Sequence, residues 1–395
     1  MLKLIKPFKA SYYNPEIIQD LSTVVCPPYD VIGADELQFL RTRYPYNYCK
    51  ILLATDSDYR FVGKEFKRWL KEGILVSDEQ ESLYLYEQKF TYEGKVHRRF
   101  GILSLLCMNR KGMVFPHEYT LKKPKIDRKR ITEAVKANLG PIFVIAPTTL
   151  RSLQNAYKEY SCQPPFFEFV DSKNIENKVW KIAEHNKIKK ICDDFEKARL
   201  VIADGHHRFE VSYDYFKRNR GRFKDLNYVM AYITDAQEGL LILPTHRVVE
   251  VQETTLDALK PYFYIEDVNQ NELQQKLEAK SLFSFGIYKN GSFKFLRLKK
   301  AAALKSVNPI YRKLDTYLLH QLVLPRLKPV GEARYTHSIE EAKQLADNKR
   351  VAFLLKPSPL KEVFAIANKG ARLPQKSTYF YPKLLSGIVI RRFEK

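Results

Sequence analysis

Apolar positions recur along this chain with two periods, and each period predicts an element. Over residues 58–71, Phe61, Phe66, Trp69 and Leu70 fall on a helical stripe, and Gly73 follows as a stop signal. Residues 82–108 read as a hairpin, with Leu83 and Leu85 alternating with Tyr84 and Tyr86 and a turn at Glu93-Gly94. A second hairpin is expected at Asn290-Gly291, between 283–289 and 293–298. Residues 47–53 predict a short strand. A helix over 187–198 leads into the buried strand Arg199-Leu200-Val201-Ile202-Ala203, which runs straight into Asp204-Gly205-His206-His207-Arg208. Residues 209–217 have helical character, and 228–234 and 240–251 read as strands. The last third predicts helices over 312–324 and 338–347, a strand over 351–356 and a closing stretch rich in Lys, Ser and Tyr. The pattern is that of an α+β (mixed α/β) fold. No internal repeat, low-complexity block or Gly/Ser linker marks a border. The polar stretch 252–260 is expected to open a helix-led unit, dividing a core, 1–252, from a C-terminal α/β region, 253–395.

The composition can fill a core. Aromatic residues are 13% of the 395 and hydrophobic residues 45%, which excludes a disordered chain. No apolar run approaches the roughly 20 residues that a bilayer span needs. The first seven residues are too short and too charged a stretch for a signal peptide. The five cysteines, Cys26, Cys49, Cys107, Cys162 and Cys192, are odd in number and form no CxxC pair. They argue against a disulfide framework and fit a reducing, cytoplasmic setting.

Charge adds one constraint. The chain carries 67 Lys+Arg against 45 Asp+Glu, a formal net charge of +22. An anionic partner is implied: a small phosphorylated metabolite, a nucleotide, nucleic acid or an acidic surface. The basic residues are scattered. Residues 109–136 hold nine Lys/Arg, 291–314 hold seven and 217–224 hold five. No single arm or stripe collects them, which disfavours nucleic acid relative to a small anion.

The candidate chemistry gathers around a few of the eight histidines. In Asp204-Gly205-His206-His207-Arg208 a buried strand ends, a glycine permits a tight turn and a helix begins. Backbone N–H groups and the positive end of the helix dipole then face one spot. Arg208 adds a planar donor fork suited to phosphate. Asp204 is placed to hold a magnesium ion or to accept a proton, and His206 and His207 to donate to phosphate or shuttle protons. The same histidines also fit a helix cap. His117, Glu118, Thr120 and Lys125 form a polar loop entering a basic helix, arranged to clamp a phosphate or to stand as a solvated face. His246 and Arg247 interrupt an apolar strand, where polar groups need partners. Asp30 ends the rigid turn Cys26-Pro27-Pro28-Tyr29-Asp30, as a catalytic or metal-binding carboxylate or as a helix cap.

These residues resemble a known pattern. Pro27-Pro28-Tyr29-Asp30-Val31-Ile32, His117-Glu118 with Thr120, and Lys123-Pro124-Lys125 with Asp127-Arg128 are followed by Ala203-Asp204-Gly205-His206-His207-Arg208 and Leu243-Pro244-Thr245-His246-Arg247. The pattern closes with Pro374-Gln375-Lys376-Ser377-Thr378-Tyr379-Phe380-Tyr381-Pro382-Lys383-Leu384. Over nearly its whole length the chain resembles the prokaryotic family catalogued as domain of unknown function 1015. It departs at Phe209, where the family commonly has Tyr. More distantly, residues 201–249 resemble the phosphate-binding loop of the ParB and sulfiredoxin superfamily, which includes free serine kinases.

That resemblance implies a ParB/sulfiredoxin-like nucleotide-binding core with large insertions and a C-terminal extension. It also implies phosphoryl transfer to or from serine or phosphoserine in serine metabolism, with ATP or ADP and Mg2+. Gly205, His206, His207 and Arg208 would cradle phosphate. Asp204 would orient the nucleophile or, with Asp30, a magnesium ion. Glu118, Asp30 or His246 would act as acid or base, and Lys125, Arg247 and Lys376 would neutralise developing charge. The alternatives implied are a nucleic-acid-binding regulator and a nucleotide sensor without turnover.

Overall fold

The computed structural model describes residues 2–120, 122–236, 239–252, 256–279, 283–299, 304–305 and 307–395. The fold is mixed α+β, and the chain divides into two compact units. The first holds Met1–Pro116, Thr120–Leu240 and Pro382–Lys395, and the second His117–Tyr119 and Leu241–Tyr381. The main division thus falls at 240/241, and the closing residues 382–395 go with the first unit.

The first unit is built on a nine-stranded sheet. Its strands are β1 (Ile5–Lys6), β2 (Leu83–Tyr92), β3 (Lys95–Cys107), β4 (Val114–Pro116), β5 (Ile142–Ala146), β6 (Phe167–Val170), β7 (Glu176–Ile182), β8 (Leu200–Asp204) and β9 (Tyr228–Asp235). Their order is β4-β8-β5-β9-β3-β2-β7-β6, with β1 also paired to β3. Only β4/β8 and β5/β9 are parallel pairs. The β2–β3 hairpin turns at Glu93-Gly94 as expected, both residues having positive φ. Leu85, Ile102, Val144 and Ile233 point to one face. There they pack against helices Arg151–Tyr160 and His185–Phe195 through Leu153, Tyr160, Ile191 and Phe195. Burying such side chains contributes about 1.5–3 kcal/mol each.

Three helices of this unit matter for the site: α1 (Tyr59–Lys71), α2 (Lys122–Val135) and α3 (His206–Arg218). Asp58 caps α1 by accepting from the Phe61 N–H at 2.9 Å. The α1 and α2 helices approach closely at Gly63, where a Cβ would stand 3.0 Å from the Ala134 carbonyl oxygen.

The second unit centres on a six-stranded antiparallel sheet. Its strands are β11 (His246–Val251), β12 (Phe263–Val268), β13 (Ser284–Lys289), β14 (Ser292–Leu298), β15 (Pro329–Thr336) and β16 (Arg350–Leu354), in the order β12-β14-β13-β16-β11-β15. The short strand β10 (Leu241–Leu243) pairs instead with β17 (Tyr379–Tyr381). The Asn290-Gly291 hairpin forms as expected. One face packs on Leu319, Val323, Leu324 and Leu327. The other packs on helices Gln270–Glu278 and Ile339–Leu345.

Four expectations are corrected. Residues 47–53 hold a helical turn, Cys49–Leu52, rather than a strand, because the buried Asn47 side chain accepts from the Cys49 N–H at 3.1 Å and donates to Thr23 O at 3.0 Å. The strand expected over 240–251 breaks into β10 and β11 around Pro244, which has no N–H for a ladder. The helix expected over 312–324 runs from Asp315 to Leu327 with a π turn at Leu319–Val323. Pro325, lacking an N–H, leaves the α ladder incomplete just after it. The stretch 252–260, of which 253–255 lie outside the described residues, opens on a 3-10 turn at Asp257–Leu259 and leads into a strand, not a helix.

Candidate functional site

The first unit carries the expected strand–turn–helix junction. The pairing of β8 with β5 slips between Ile202 and Asp204, and Asp204 ends the strand opposite Phe143. Gly205 follows at φ +85°, a left-handed conformation that L side chains rarely adopt, and caps α3. The helix therefore begins at His206, three residues before the expected 209. The N–H groups of its first turn have no partner within the helix.

Asp204 stands between two cations. Its Oδ2 accepts from Arg208 Nη2 at 2.8 Å and its Oδ1 from Lys383 Nζ at 2.8 Å. Side-chain exposure is 18%, 15% and 13% for Asp204, Arg208 and Lys383, so these bonds form largely away from water. Arg208 also donates to the Pro141 carbonyl. Its guanidinium lies against Gly205, where a Cβ would meet Nε and Nη2 at 3.0 Å. The Arg208 Nε is buried and has no partner among the described residues.

Lys383 is held from beneath. Arg99, on β3 and fully buried, donates to Pro382 O at 2.6 Å and to the Gln88 side chain. Gln88 donates to Lys383 O at 3.3 Å. The Arg99 guanidinium sits 4.8 Å from the Phe143 ring centre, and burial pushes its pKa down.

Thr120 and Lys125 meet on α3 as well. Thr120 Oγ1 donates to Glu210 Oε2 at 2.6 Å and Lys125 Nζ to the same oxygen at 3.1 Å. They are thus committed to a carboxylate one helical turn beyond His206. Asp30 is exposed, and the following helix, Ala34–Arg43, is capped by Gly33 instead. Tyr29 lies under Arg128, 4.1 Å from the guanidinium. Phe209 packs against the core, so no hydroxyl is wanted there.

The other sequence candidates lie in the second unit. Glu118 Oε1 accepts from the N–H groups of Ser377 and Thr378, each at 3.1 Å, and from Thr378 Oγ1 at 3.0 Å. His117, wholly buried, faces Thr378 Oγ1 at 3.0 Å. Lys376 is exposed with positive φ, and its carbonyl accepts from Arg247 Nη2 at 3.1 Å. Arg247 is fully buried, and its Nη1 donates to Thr245 O at 2.7 Å and its Nε to His320 Nε2 at 3.1 Å. Burial lowers its pKa to about 10. His246 Nδ1 accepts from the Leu355 N–H at 3.1 Å. Burial first, then the charges of His337 and Arg247, lower the His246 pKa to about 4, and burial and Arg247 do the same to His320. Glu118, His246 and Arg247 thus hold the Lys376–Thr378 turn and the strand ends of this unit.

Sequence reasoning brought Asp204, Gly205, His206, His207 and Arg208 to one place. It missed Lys383, Glu210 and Arg99. Lys383 lies in the closing motif, whose signal pointed instead to Lys376. Magnesium was expected at Asp30 and Asp204; Asp30 is exposed, and both Asp204 oxygens accept from cations, so an ion at Asp204 would have to displace Arg208 or Lys383.

The comparisons agree with the motif pattern. The family model described as "Protein of unknown function (DUF1015)" matches residues 5–317, and the chain belongs to that family. No curated protein matches it. Among solved structures it is similar to SbnI with C-terminal truncation from Staphylococcus aureus, at 13% identity, covering 72% of this chain and 85% of that one, with a TM-score of 0.40. A conserved hypothetical protein from Pyrococcus furiosus matches at 13% identity over 73% and 95% of the two chains, TM-score 0.39. A free serine kinase in complex with AMP matches at 12% identity over 70% and 86%, TM-score 0.36. These likenesses are too distant to carry a function.

Proposed function

We propose that this protein is a phosphoryl-transfer enzyme acting on a small hydroxy metabolite, with the Asp204–Arg208 turn as its phosphate-binding centre. Serine and phosphoserine are the first substrates to test, because the Asp-Gly-His-His-Arg run resembles that of free serine kinases. ATP or ADP is the donor or acceptor to test with them. The observation that carries the reading is the arrangement of Asp204 between Arg208 and Lys383. Arg208 and Lys383 converge on one carboxylate beside the N-terminus of α3. A phosphate arriving there meets two cationic side chains and the positive end of the helix dipole.

Phosphoryl transfer depends mainly on positioning and on neutralising charge over the transferred group. Arg208 supplies a planar fork and Lys383 a point charge. Asp204 positions both, and its oxygens are committed to that task. His206 and His207 head the helix, and one of them is the proposed acid or base for the substrate hydroxyl. With phosphoserine the P–O bond to serine breaks, and the hydroxyl gains a proton as the phosphoryl group passes to water or to a nucleotide phosphate.

The test uses purified full-length protein. Phosphoserine is supplied with and without ADP or AMP and Mg2+, and serine release is followed; serine with ATP or ADP tests the reverse direction. Absence of turnover in both directions sinks the substrate assignment. Lys383→Met and Asp204→Ala are each expected to lower kcat/KM by on the order of 10²-fold. Full activity in both variants sinks the site.

A further inference from the structure

Beside Arg208 in the first unit lies a cavity of about 40 Å³. That is room for about three water-sized spheres, enough for one compact group and too little for a nucleoside. Its polar lining comes from Tyr29, Arg128, Thr132, Asn138, Arg208, Ser212 and Ser386. No Asp or Glu contributes to the wall.

The lining presents donors. Asn138 Oδ1 is already taken, accepting from the Met230 N–H at 3.2 Å and from Arg391 Nη1 at 3.3 Å. Its Nδ2 turns instead to Ser212 Oγ at 3.4 Å, which leaves the Ser212 hydroxyl hydrogen to be donated elsewhere. The Tyr29 and Ser386 hydroxyls make no side-chain bond among the described residues. Arg128 is fixed by its Nη1 bond to Leu52 O at 2.8 Å and by its pair with Asp127, so it stiffens the wall without adding free charge. Arg208 enters the wall through a guanidinium held by Asp204 and by the Pro141 carbonyl. Gly140 holds the wall open, since a Cβ there would stand 3.2 Å from Ser386 Oγ and 3.4 Å from Arg208 Nη1.

We infer that this cavity is a recognition chamber for a compact oxyanion, a phosphate or carboxylate group of a small metabolite. An ammonium group finds no acid in it and is refused. The identity of the oxyanion as phosphate rests on the phosphoryl-transfer reading; the chamber itself does not.

The test titrates the full chain with inorganic phosphate and, separately, with acetate, by calorimetry near neutral pH. Tyr29→Phe and Ser386→Ala each remove one hydroxyl, and Ser386→Val fills the space. The two hydroxyl deletions are each expected to weaken anion binding about tenfold, Ser386→Val is expected to abolish it, and methylammonium is expected not to bind. Acetate binding without phosphate binding, lost in Ser386→Val, upholds the chamber and sinks its reading as a phosphate site. Wild-type affinity in both Tyr29→Phe and Ser386→Ala, with loss in Lys383→Met, overturns the chamber and leaves the phosphoryl-transfer reading standing. No binding of either anion to the wild-type chain overturns the chamber, and the turnover assay then judges that reading separately.

Discussion

Gly205 answers two demands at one position. Its φ of +85° suits glycine, and the Arg208 guanidinium occupies the space that a Cβ would need. Gly205→Ala is therefore expected to destabilise the protein by about 1–3 kcal/mol. It should also swing Arg208 away from Asp204. Urea unfolding and phosphate titration measure the two effects, and an alanine variant unchanged in both would remove the close packing from the account. At this scale the sequence was legible where chemistry is local. Asp204 through Arg208 are five consecutive residues, so their types alone suggest a phosphate turn. Lys383 was not legible, because 179 residues separate it from Asp204 and only the folded sheet joins them. Glu210 carries no local signal, and its place shows only through Thr120 and Lys125, which reach it from 90 and 85 residues away.

The closing segment is tied to the sheet by a buried cation. Arg99 on β3 gives Pro382 O a 2.6 Å bond, and Gln88 on β2 reaches Lys383 O. Removing Arg99 leaves the Pro382 carbonyl and the Gln88 side chain without that donor, and each unmet buried group costs about 1–3 kcal/mol. Arg99→Met should thus loosen residues 382–395 and free Lys383 from Asp204. Hydrogen exchange over that segment should rise well above the wild-type rate while the Arg151–Tyr160 helix stays protected. Equal protection in the variant would mean that the strap is held by other contacts. Elements with a strong local signal were readable from the chain: the Glu93-Gly94 and Asn290-Gly291 hairpins and the Asp58-capped helix all formed. Those set by a side chain reaching elsewhere were not. Asn47 turned an expected strand into a helical turn, and Pro244 cut one strand into two that serve different partners. Arg99 carries no sequence signal of its burial, and it is wholly buried.

For the molecule as a whole, the two units should respond differently to acid. His246 and His320 both belong to the second unit, and both have their pKa lowered to about 4, against about 6.5 in an unfolded chain. Each ring nitrogen that would take the proton already accepts a bond, from the Leu355 N–H and from Arg247 Nε. Below pH 6.5 the unfolded chain therefore binds more protons than the folded one, and stability falls with pH. The contribution is whole above pH 6.5 and is lost as the pH drops to 4, at most about 3 kcal/mol for a fully buried histidine. His246, almost fully buried, should account for more of it than the partly exposed His320. The chain's two tryptophans, Trp69 and Trp180, both lie in the first unit, so their fluorescence follows that unit alone. Far-ultraviolet circular dichroism follows both. Between pH 6.5 and 4, melts read by dichroism should develop an early transition that tryptophan fluorescence does not see. His246→Gln, which keeps a polar side chain but cannot titrate, should reduce the pH dependence of that early transition. Coincident melts at every pH in this range would show that the two units unfold as one, and an early transition equally steep in His246→Gln would assign the acid lability to other groups.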